Sequence, residues 1–146
     1  MDLLQKQNML LIVRALYFCL DEQWAKLGRM FNITPAQQHI LFLLSTNKRS
    51  LTPTLISVLG CWHISTVTRL LRPLEEKGFV TITVDQARPK YKKVTLTHNG
   101  MAMLVRIVDS AKNDECFPLD LSHLPNTDLV QFLTLGKRIL DLQKGF

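Results

Sequence analysis

Cysteine is scarce in this sequence of 146 residues, with only Cys19, Cys61 and Cys116, far apart along the chain. There is no Cys-x-x-Cys pair, and no histidine stands at zinc-finger spacing from a cysteine. We therefore expect neither a disulfide framework nor a structural zinc site, and no bound metal.

Long apolar runs are also missing. The longest, residues 9–20, is interrupted by Arg14 and is shorter than the roughly 20 residues that a transmembrane helix needs. No basic segment precedes it and no small-residue cleavage site follows it, so it is not expected to be a signal peptide. These absences predict a cytoplasmic protein that does not enter a membrane.

The motifs of common enzyme classes are absent as well. The sequence has no glycine-rich phosphate loop, no cluster of metal ligands and no pair of carboxylates close to a histidine. The hydrophobic fraction of 47% and the charged fraction of 21% are typical of a folded protein. We predict a single domain over 1–146 that is not an enzyme and binds no cofactor.

Positive charge, in contrast, is abundant in one place. The formal net charge is +6, and residues 45–98 hold nine basic and three acidic side chains, while the charges of the two flanking regions nearly cancel. A concentrated basic region indicates a polyanionic partner such as nucleic acid. A solvated basic surface without a partner is the alternative that charge alone leaves open.

Helical spacing of apolar residues predicts helices over 3–31, from Thr34, from Thr52, over 63–77, from Thr97 and over 127–143. Thr34-Pro35-Ala36-Gln37 has the composition of a capping box. We expect Gly60 to close the third helix and Gly78, in a left-handed conformation, the fourth. Two short helices joined by a glycine-containing turn are typical of a helix-turn-helix.

The period then changes from helical to alternating. Residues 79–84 are rich in β-branched side chains and predict a strand, and 94–96 end a second strand. The connection between them, 85–93, is a turn rich in positive charge. The fold class predicted is therefore mainly α (α+β), a winged helix-turn-helix with N- and C-terminal helices.

Three runs carry a family resemblance: LTPTLI at 51–56, STVTRLLRPLEEKGFV at 65–80 and VTLTHNG at 94–100. Together they closely resemble the MarR (multiple antibiotic resistance regulator) family, in register from 34 to 100. The resemblance implies a DNA-binding lobe at 34–97 and dimerisation helices at 1–33 and 98–146. It also implies a homodimer on double-stranded DNA, control of transcription, more often by repression, and relief by small aromatic ligands or by oxidation.

The predicted recognition helix, 63–77, buries Val67, Leu70, Leu71 and Leu74 and turns its other side chains outward. The predicted wing, 85–93, adds basic residues. The candidate DNA-binding residues are Ser65, Thr66, Thr68, Arg69, Arg72, Arg88, Lys90 and Lys92. We expect Arg69 to pair with guanine through two hydrogen bonds.

The sequence departs from the family pattern at several positions. The wing usually carries Asp-x-Arg, and here Arg88 and Lys90 occupy those two places. Cys61 replaces the usual glycine, and His63 stands where a serine or asparagine cap is typical, which predicts a weaker cap. Pro73 should bend the recognition helix, since it removes one backbone hydrogen bond.

Two further interpretations stay open at this stage. We expect Cys19, within an apolar stretch, to be packed in the core, and we treat oxidation of Cys61 beside the recognition helix as a hypothesis. The alternative function is a winged helix that binds another protein and no DNA. That use predicts an acidic or apolar recognition face.

Overall fold

The computed structural model describes residues 1–144, so the last two residues of the predicted 98–146 region lie outside the described part. Six helices and three strands follow one another along these residues. They are α1 (Leu3–Phe31), α2 (Pro35–Thr46), β1 (Ser50–Leu51), α3 (Pro53–Gly60), α4 (Ile64–Glu76), β2 (Val80–Val84), β3 (Lys92–Leu96), α5 (His98–Lys112) and α6 (Asn126–Lys144). This is the predicted mainly α fold with a small antiparallel sheet.

Threonine side chains set the starts of α2 and α3. Thr34 Oγ1 accepts a hydrogen bond from the Gln37 backbone N–H at 3.2 Å, and Gln37 Oε1 accepts one from the Thr34 N–H at 3.1 Å. Thr52 Oγ1 accepts from the Leu55 N–H at 3.1 Å. The predicted capping box is confirmed, and both helix starts arise from local polar chemistry.

The turn between α3 and α4 differs from the prediction. Gly60 is the last residue of α3, and Cys61 takes the left-handed conformation (φ 59°) that closes it. A Cβ atom at position 60 would lie 2.2 Å from the ring of Trp62. The glycine is therefore needed for the close packing of Trp62, and the expectation that Gly60 itself closes the helix is wrong.

Helix α4 begins after His63, whose Nδ1 accepts from the Ser65 N–H at 3.2 Å. The helix continues through Pro73 and ends before Lys77. Gly78 follows with φ 76°, as predicted, and turns the chain into β2.

The sheet has the order β1-β3-β2, with both pairs antiparallel. Strand β1, which was not predicted, consists only of Ser50 and Leu51, paired with Thr95 and Val94. The predicted turn over 85–93 is also too long. Lys92 belongs to β3, where it pairs with Val84, because the β2–β3 ladder extends two residues further than predicted.

The core lies between α2, α3, α4, the sheet and α5. Ile40, Leu41, Leu44, Ile56, Val67, Leu74, Val94 and Ile107 are completely buried. On α5, Ile107 is completely buried, whereas Val105 is 50% exposed. The helix packs on α2 and α1 through Leu104 and Ile107, which lie one turn apart.

The first half of α1 and most of α6 stand outside this core. Their exposed apolar side chains include Leu3, Leu4, Leu10, Leu11, Ile12, Val13, Phe18, Val130, Phe132, Leu133, Leu135, Ile139, Leu140 and Leu142. Cys19 is exposed as well, so its predicted place in the core is wrong. No other element within residues 1–144 covers this part of α1.

No single helix among residues 1–144 is both long and apolar enough to span a membrane. Helices α3 and α4 reach the required hydropathy only when taken together, and they are bent by 110° at their turn.

Candidate nucleic-acid interface

The outward face of α4 carries a polar and basic stripe. Ser65, Thr68, Arg69 and Arg72 are all exposed, and at 3.6 residues per turn they fall within an arc of about 100°. Val67, Leu71 and Leu74 are buried on the opposite side. One face of this helix is therefore fixed in the core and the other is exposed to solvent.

The hydroxyl groups on this helix differ in what they offer. Thr68 Oγ1 donates its proton to the Ile64 carbonyl at 3.1 Å, which leaves its oxygen as an acceptor. Ser65 Oγ lies 2.8 Å from His63 Nδ1. Thr66 is half-buried at the edge of the stripe and is the least accessible of the predicted contacts on α4.

The two arginines of the stripe are held differently. Arg72 Nε lies 3.6 Å from Glu76 Oε1, and both side chains are largely exposed (83% and 69%). Such a surface pair contributes little to stability and opens easily. Arg69 forms no ion pair or side-chain hydrogen bond with any residue in 1–144, so all its guanidinium donors face solvent.

The wing consists of the turn 85–91 and the ends of β2 and β3. Arg88 and Lys90 lie in the turn and Lys92 in β3, all three exposed and, within residues 1–144, without an ion-pair partner. Asp85 orders the turn, since its Oδ1 accepts from the Ala87 N–H at 3.0 Å and its N–H donates to the Tyr91 carbonyl at 2.9 Å.

Sequence reasoning missed this role of Asp85. The family pattern directed attention to the Asp-x-Arg position, which holds Arg88 and Lys90 here. An aspartate followed two residues later by a turn is itself the local signal that could have identified it.

Helix α4 is tied to its neighbours at its C-terminal end. Glu75 Oε2 accepts from the Ile82 N–H of β2 at 3.1 Å. Lys77 Nζ donates to the Asn32 carbonyl, at the end of α1, at 2.7 Å. The position of the recognition helix is thereby linked both to the wing and to the long N-terminal helix.

The described part of the chain contains no cluster of possible metal ligands. Among residues 1–144, no group of three His, Cys, Asp or Glu side chains is arranged to hold a metal ion.

Burial lowers the pKa of His39, which lies near α1 and the α3–α4 turn. Its imidazole is therefore neutral at pH 7 and adds nothing to the positive charge of the interface.

Comparison with known proteins agrees with this geometry. Residues 33–85 match the model of the MarR family, a segment that runs from the end of α1 through the recognition helix to the start of the wing. Over this segment, about a third of the chain, the protein is similar to the MarR family. Members of this family are transcriptional regulators and not enzymes, which agrees with the prediction of a non-enzymatic protein.

Solved MarR-family structures share the fold over almost the whole chain. The regulator BldR from Sulfolobus solfataricus is 20% identical, with 97% of this chain and 99% of that chain covered and a TM-score of 0.82. A mutant of MarR from E. coli, in complex with operator DNA, is 18% identical, with 96% and 99% covered and a TM-score of 0.79. The predicted winged-helix fold class is confirmed.

The relatives found by sequence are longer proteins than this chain. The HTH-type transcriptional regulator Hpr of Geobacillus thermodenitrificans is 23% identical over 108 residues, which cover 74% of this chain and 54% of that protein. An Hpr of Bacillus cereus is 20% identical over 103 residues, or 70% and 55%. The chain spans about half the length of these relatives.

Proposed function

We propose that this chain is a homodimeric transcription regulator that binds duplex DNA in a sequence-specific manner and acts as a repressor. The observation that carries the proposal is the exposed stripe of Ser65, Thr68, Arg69 and Arg72 on the second helix of a helix-turn-helix. Hydroxyl and guanidinium groups match base edges and phosphates. An apolar or acidic face, which a protein-binding winged helix would need, is not what α4 presents.

The proposed contacts divide into base-reading and positioning groups. Arg69 reads a guanine in the major groove, and Ser65, Thr66 and Thr68 contact bases or phosphates beside it. Arg72 leaves Glu76 to contact a base or a phosphate. Arg88, Lys90 and Lys92 of the wing add contacts to the neighbouring groove and backbone.

The proposed dimer is supported by the apolar side chains that α1 and α6 leave exposed. A monomeric protein rarely exposes so many apolar residues on two helices. In a symmetric pair, the two copies of α4 would enter successive major grooves of a pseudo-palindromic operator, one helical turn apart.

The proposal also includes a small-molecule effector and a cellular location. A small aromatic molecule that binds between α1 and the DNA-binding lobe would shift the dimer away from its DNA-competent state. The proposed location of the regulator is the cytoplasm.

Fluorescence anisotropy across a salt series tests the DNA-binding part. The probe is a duplex selected from a random pool by the wild-type protein, compared with a scrambled duplex. We expect Arg69→Ala to weaken binding to the selected duplex by about 1–3 kcal/mol, which is about 5- to 150-fold. The matched control is Arg138→Ala on α6, which removes the same charge outside the lobe.

Two results would contradict the proposal. One is a selection that yields no duplex bound more tightly than the scrambled one. The other is equal binding by wild type and Arg69→Ala. Either result would favour the protein-binding alternative.

A further inference from the structure

The first turn of α4 carries an exposed apolar side chain beside the polar stripe. Ile64, the first residue of the helix, is 42% exposed. It lies about 40° from Thr68 around the helix axis, at the edge of the stripe. In a helix-turn-helix, the N-terminal residues of this helix contact base edges in the major groove. On DNA, Ile64 would therefore lie next to the bases.

The hydroxyl group of Ser65 has a fixed hydrogen-bonding polarity. His63 Nδ1 lies 3.2 Å from the Ser65 backbone nitrogen and 2.8 Å from Ser65 Oγ. A backbone N–H can only donate, so Nδ1 must carry the lone pair, and the proton of the neutral imidazole is on Nε2. The Ser65 hydroxyl therefore also donates to Nδ1 and offers only its own lone pairs to a ligand.

Thr68 has the same polarity one turn later. Its Oγ1 donates to the Ile64 carbonyl at 3.1 Å, so this proton is also used within the helix. Ser65 Oγ and Thr68 Oγ1 thus both offer lone pairs, and Ile64 lies beside them. This surface combines hydrogen-bond acceptors with an apolar group, whereas the guanidinium groups of Arg69 and Arg72 offer only donors.

Base pairs differ in what they present to such a surface. In the major groove, the hydrogen-bond donors are the amino groups of adenine (N6) and cytosine (N4), and the apolar group is the 5-methyl group of thymine. An A·T pair presents an amino group and a methyl group together. A G·C pair presents an amino group without a methyl group, and its guanine offers acceptors, which match Arg69 and not the hydroxyl oxygens.

We propose that the first turn of α4 reads an A·T base pair, with Ser65 as the acceptor for the adenine amino group and Ile64 as the contact for the thymine methyl group. Thr68 Oγ1 extends the acceptor surface. His63 is a positioning residue, since it holds the Ser65 proton and contacts no base itself. This inference rests on the proposed function and adds to it the base pair that is selected beside the guanine of Arg69.

Base analogues that each lack one chemical group test the proposal on the duplex that the wild-type protein selects from a random pool. Uracil in place of thymine lacks only the 5-methyl group, and purine in place of adenine lacks only the N6 amino group. Each A·T pair of a half-site is replaced in turn, and dissociation constants are measured by fluorescence anisotropy. We expect one pair at which uracil weakens binding about fourfold, as for one buried methyl group, and purine weakens it about fivefold or more.

Variants assign each group of that base pair to one side chain. Ile64→Ala should bind the thymine and uracil duplexes equally, and Ser65→Ala should bind the adenine and purine duplexes equally. Each variant should keep the other discrimination. The matched control is Leu55→Ala on α3, which removes an apolar side chain of nearly the same exposure (41%) and should keep both ratios. Circular dichroism checks that all variants remain folded.

Two further variants separate the positioning role of His63 from that of a helix cap alone. Loss of the cap would weaken binding to the adenine and purine duplexes by the same factor. Loss of the fixed hydroxyl polarity would instead reduce the ratio between them, and this result is expected for His63→Ala. His63→Asn retains an oxygen that accepts both hydrogen bonds, so it should restore the ratio. An unchanged ratio in His63→Ala would contradict the positioning role.

Three results would overturn the proposal and leave sequence-specific binding intact. They are a selected half-site without an A·T pair, equal affinity for the thymine and uracil duplexes at every pair, and weakening by 7-deazaadenine that depends on Ser65. The last result would mean that the hydroxyl donates to adenine N7. A selection that yields no specific duplex would overturn this proposal and the proposed function together, so the two failures are distinguishable.

Discussion

The winged-helix lobe and the long terminal helices bury their apolar side chains to very different extents. In the lobe, Ile40, Leu44, Val67 and Leu74 are completely buried. In α6 no residue whose exposure is described is buried, and Leu142 is 83% exposed. The two regions have similar apolar side chains, so the difference lies in what each region packs against.

This difference in burial indicates where each region obtains its stability. The lobe forms a core from its own elements. Two helix caps and a three-stranded sheet stabilise the elements against which the buried face of α4 packs. An isolated helix of the length of α6 is only marginally stable in water, because tertiary packing supplies most helical stability. The terminal helices therefore need a further layer, which a second copy of the chain would provide.

The largest expected effect is on assembly. Leu133→Glu combined with Leu140→Glu places two charges on one apolar face of α6, seven residues apart. Because burial of these charges would be very unfavourable, we expect the dimer to dissociate and the mass measured by analytical ultracentrifugation to fall to that of the monomer. Affinity for the operator should fall at least 100-fold with it.

A double variant with the same charge change provides the control for assembly. Gln131→Glu with Thr134→Glu adds two negative charges on the polar face of α6 and should remain dimeric. If both double variants sediment as the wild type does, the exposed face of α6 is not the dimer contact.

The next effect is on the core of the lobe. Leu74→Ala removes a side chain with 0% exposure in the last turn of α4, and large-to-small changes at such positions cost about 2–5 kcal/mol. We expect the free energy of unfolding, measured by urea titration, to fall by that amount. Val84→Ala, at a position that is 60% exposed in the same lobe, should change it by less than about 0.5 kcal/mol.

Local signals in the sequence predicted much of the lobe. The capping pairs at Thr34 and Thr52 and the left-handed Gly78 were predicted because each depends on residues within a few positions. The outward set on α4 was predicted for the same reason, since helical periodicity is a local property. The stripe of Ser65, Thr68, Arg69 and Arg72 is exposed as expected.

Features that depend on distant parts of the chain were not predicted. Strand β1 exists only because Ser50 meets Thr95, and two residues leave no periodic signal. The conformation of Cys61 follows from the packing of Trp62 over Gly60. The inward face of α5 is set by its packing on α1 and α2, which buries Ile107 and leaves Val105 exposed. The exposure of Cys19 was not predicted, because its apolar neighbours in the sequence indicate burial while no element in the described part of the chain covers that stretch of α1.

A smaller effect is expected in the wing, the least buried part of the lobe. Arg88→Ala should weaken operator binding only a few-fold and should reduce the slope of log K against log salt by about 0.9, the value for one phosphate contact. The measurement is anisotropy at four salt concentrations. Lys112→Ala, at the end of α5, should leave the slope unchanged, and an unchanged slope in Arg88→Ala would remove this residue from the interface.

The smallest expected effect concerns His39, at the junction of the two regions. Burial lowers the pKa of His39 below its ordinary value of 6.5. The unfolded chain therefore binds a proton more readily than the folded one, and the free energy of unfolding should decrease as the pH falls below about 6.5. Urea titrations at pH 7.5 and 5.5 should show a smaller decrease in the free energy of unfolding for His39→Phe than for the wild type.

His98→Gln, which changes an exposed histidine, should keep the wild-type pH dependence. Equal pH dependence in His39→Phe and wild type would mean that the ring takes up its proton in the folded state as easily as in water, and that the aromatic cluster between α1 and the lobe is more open than its packing indicates.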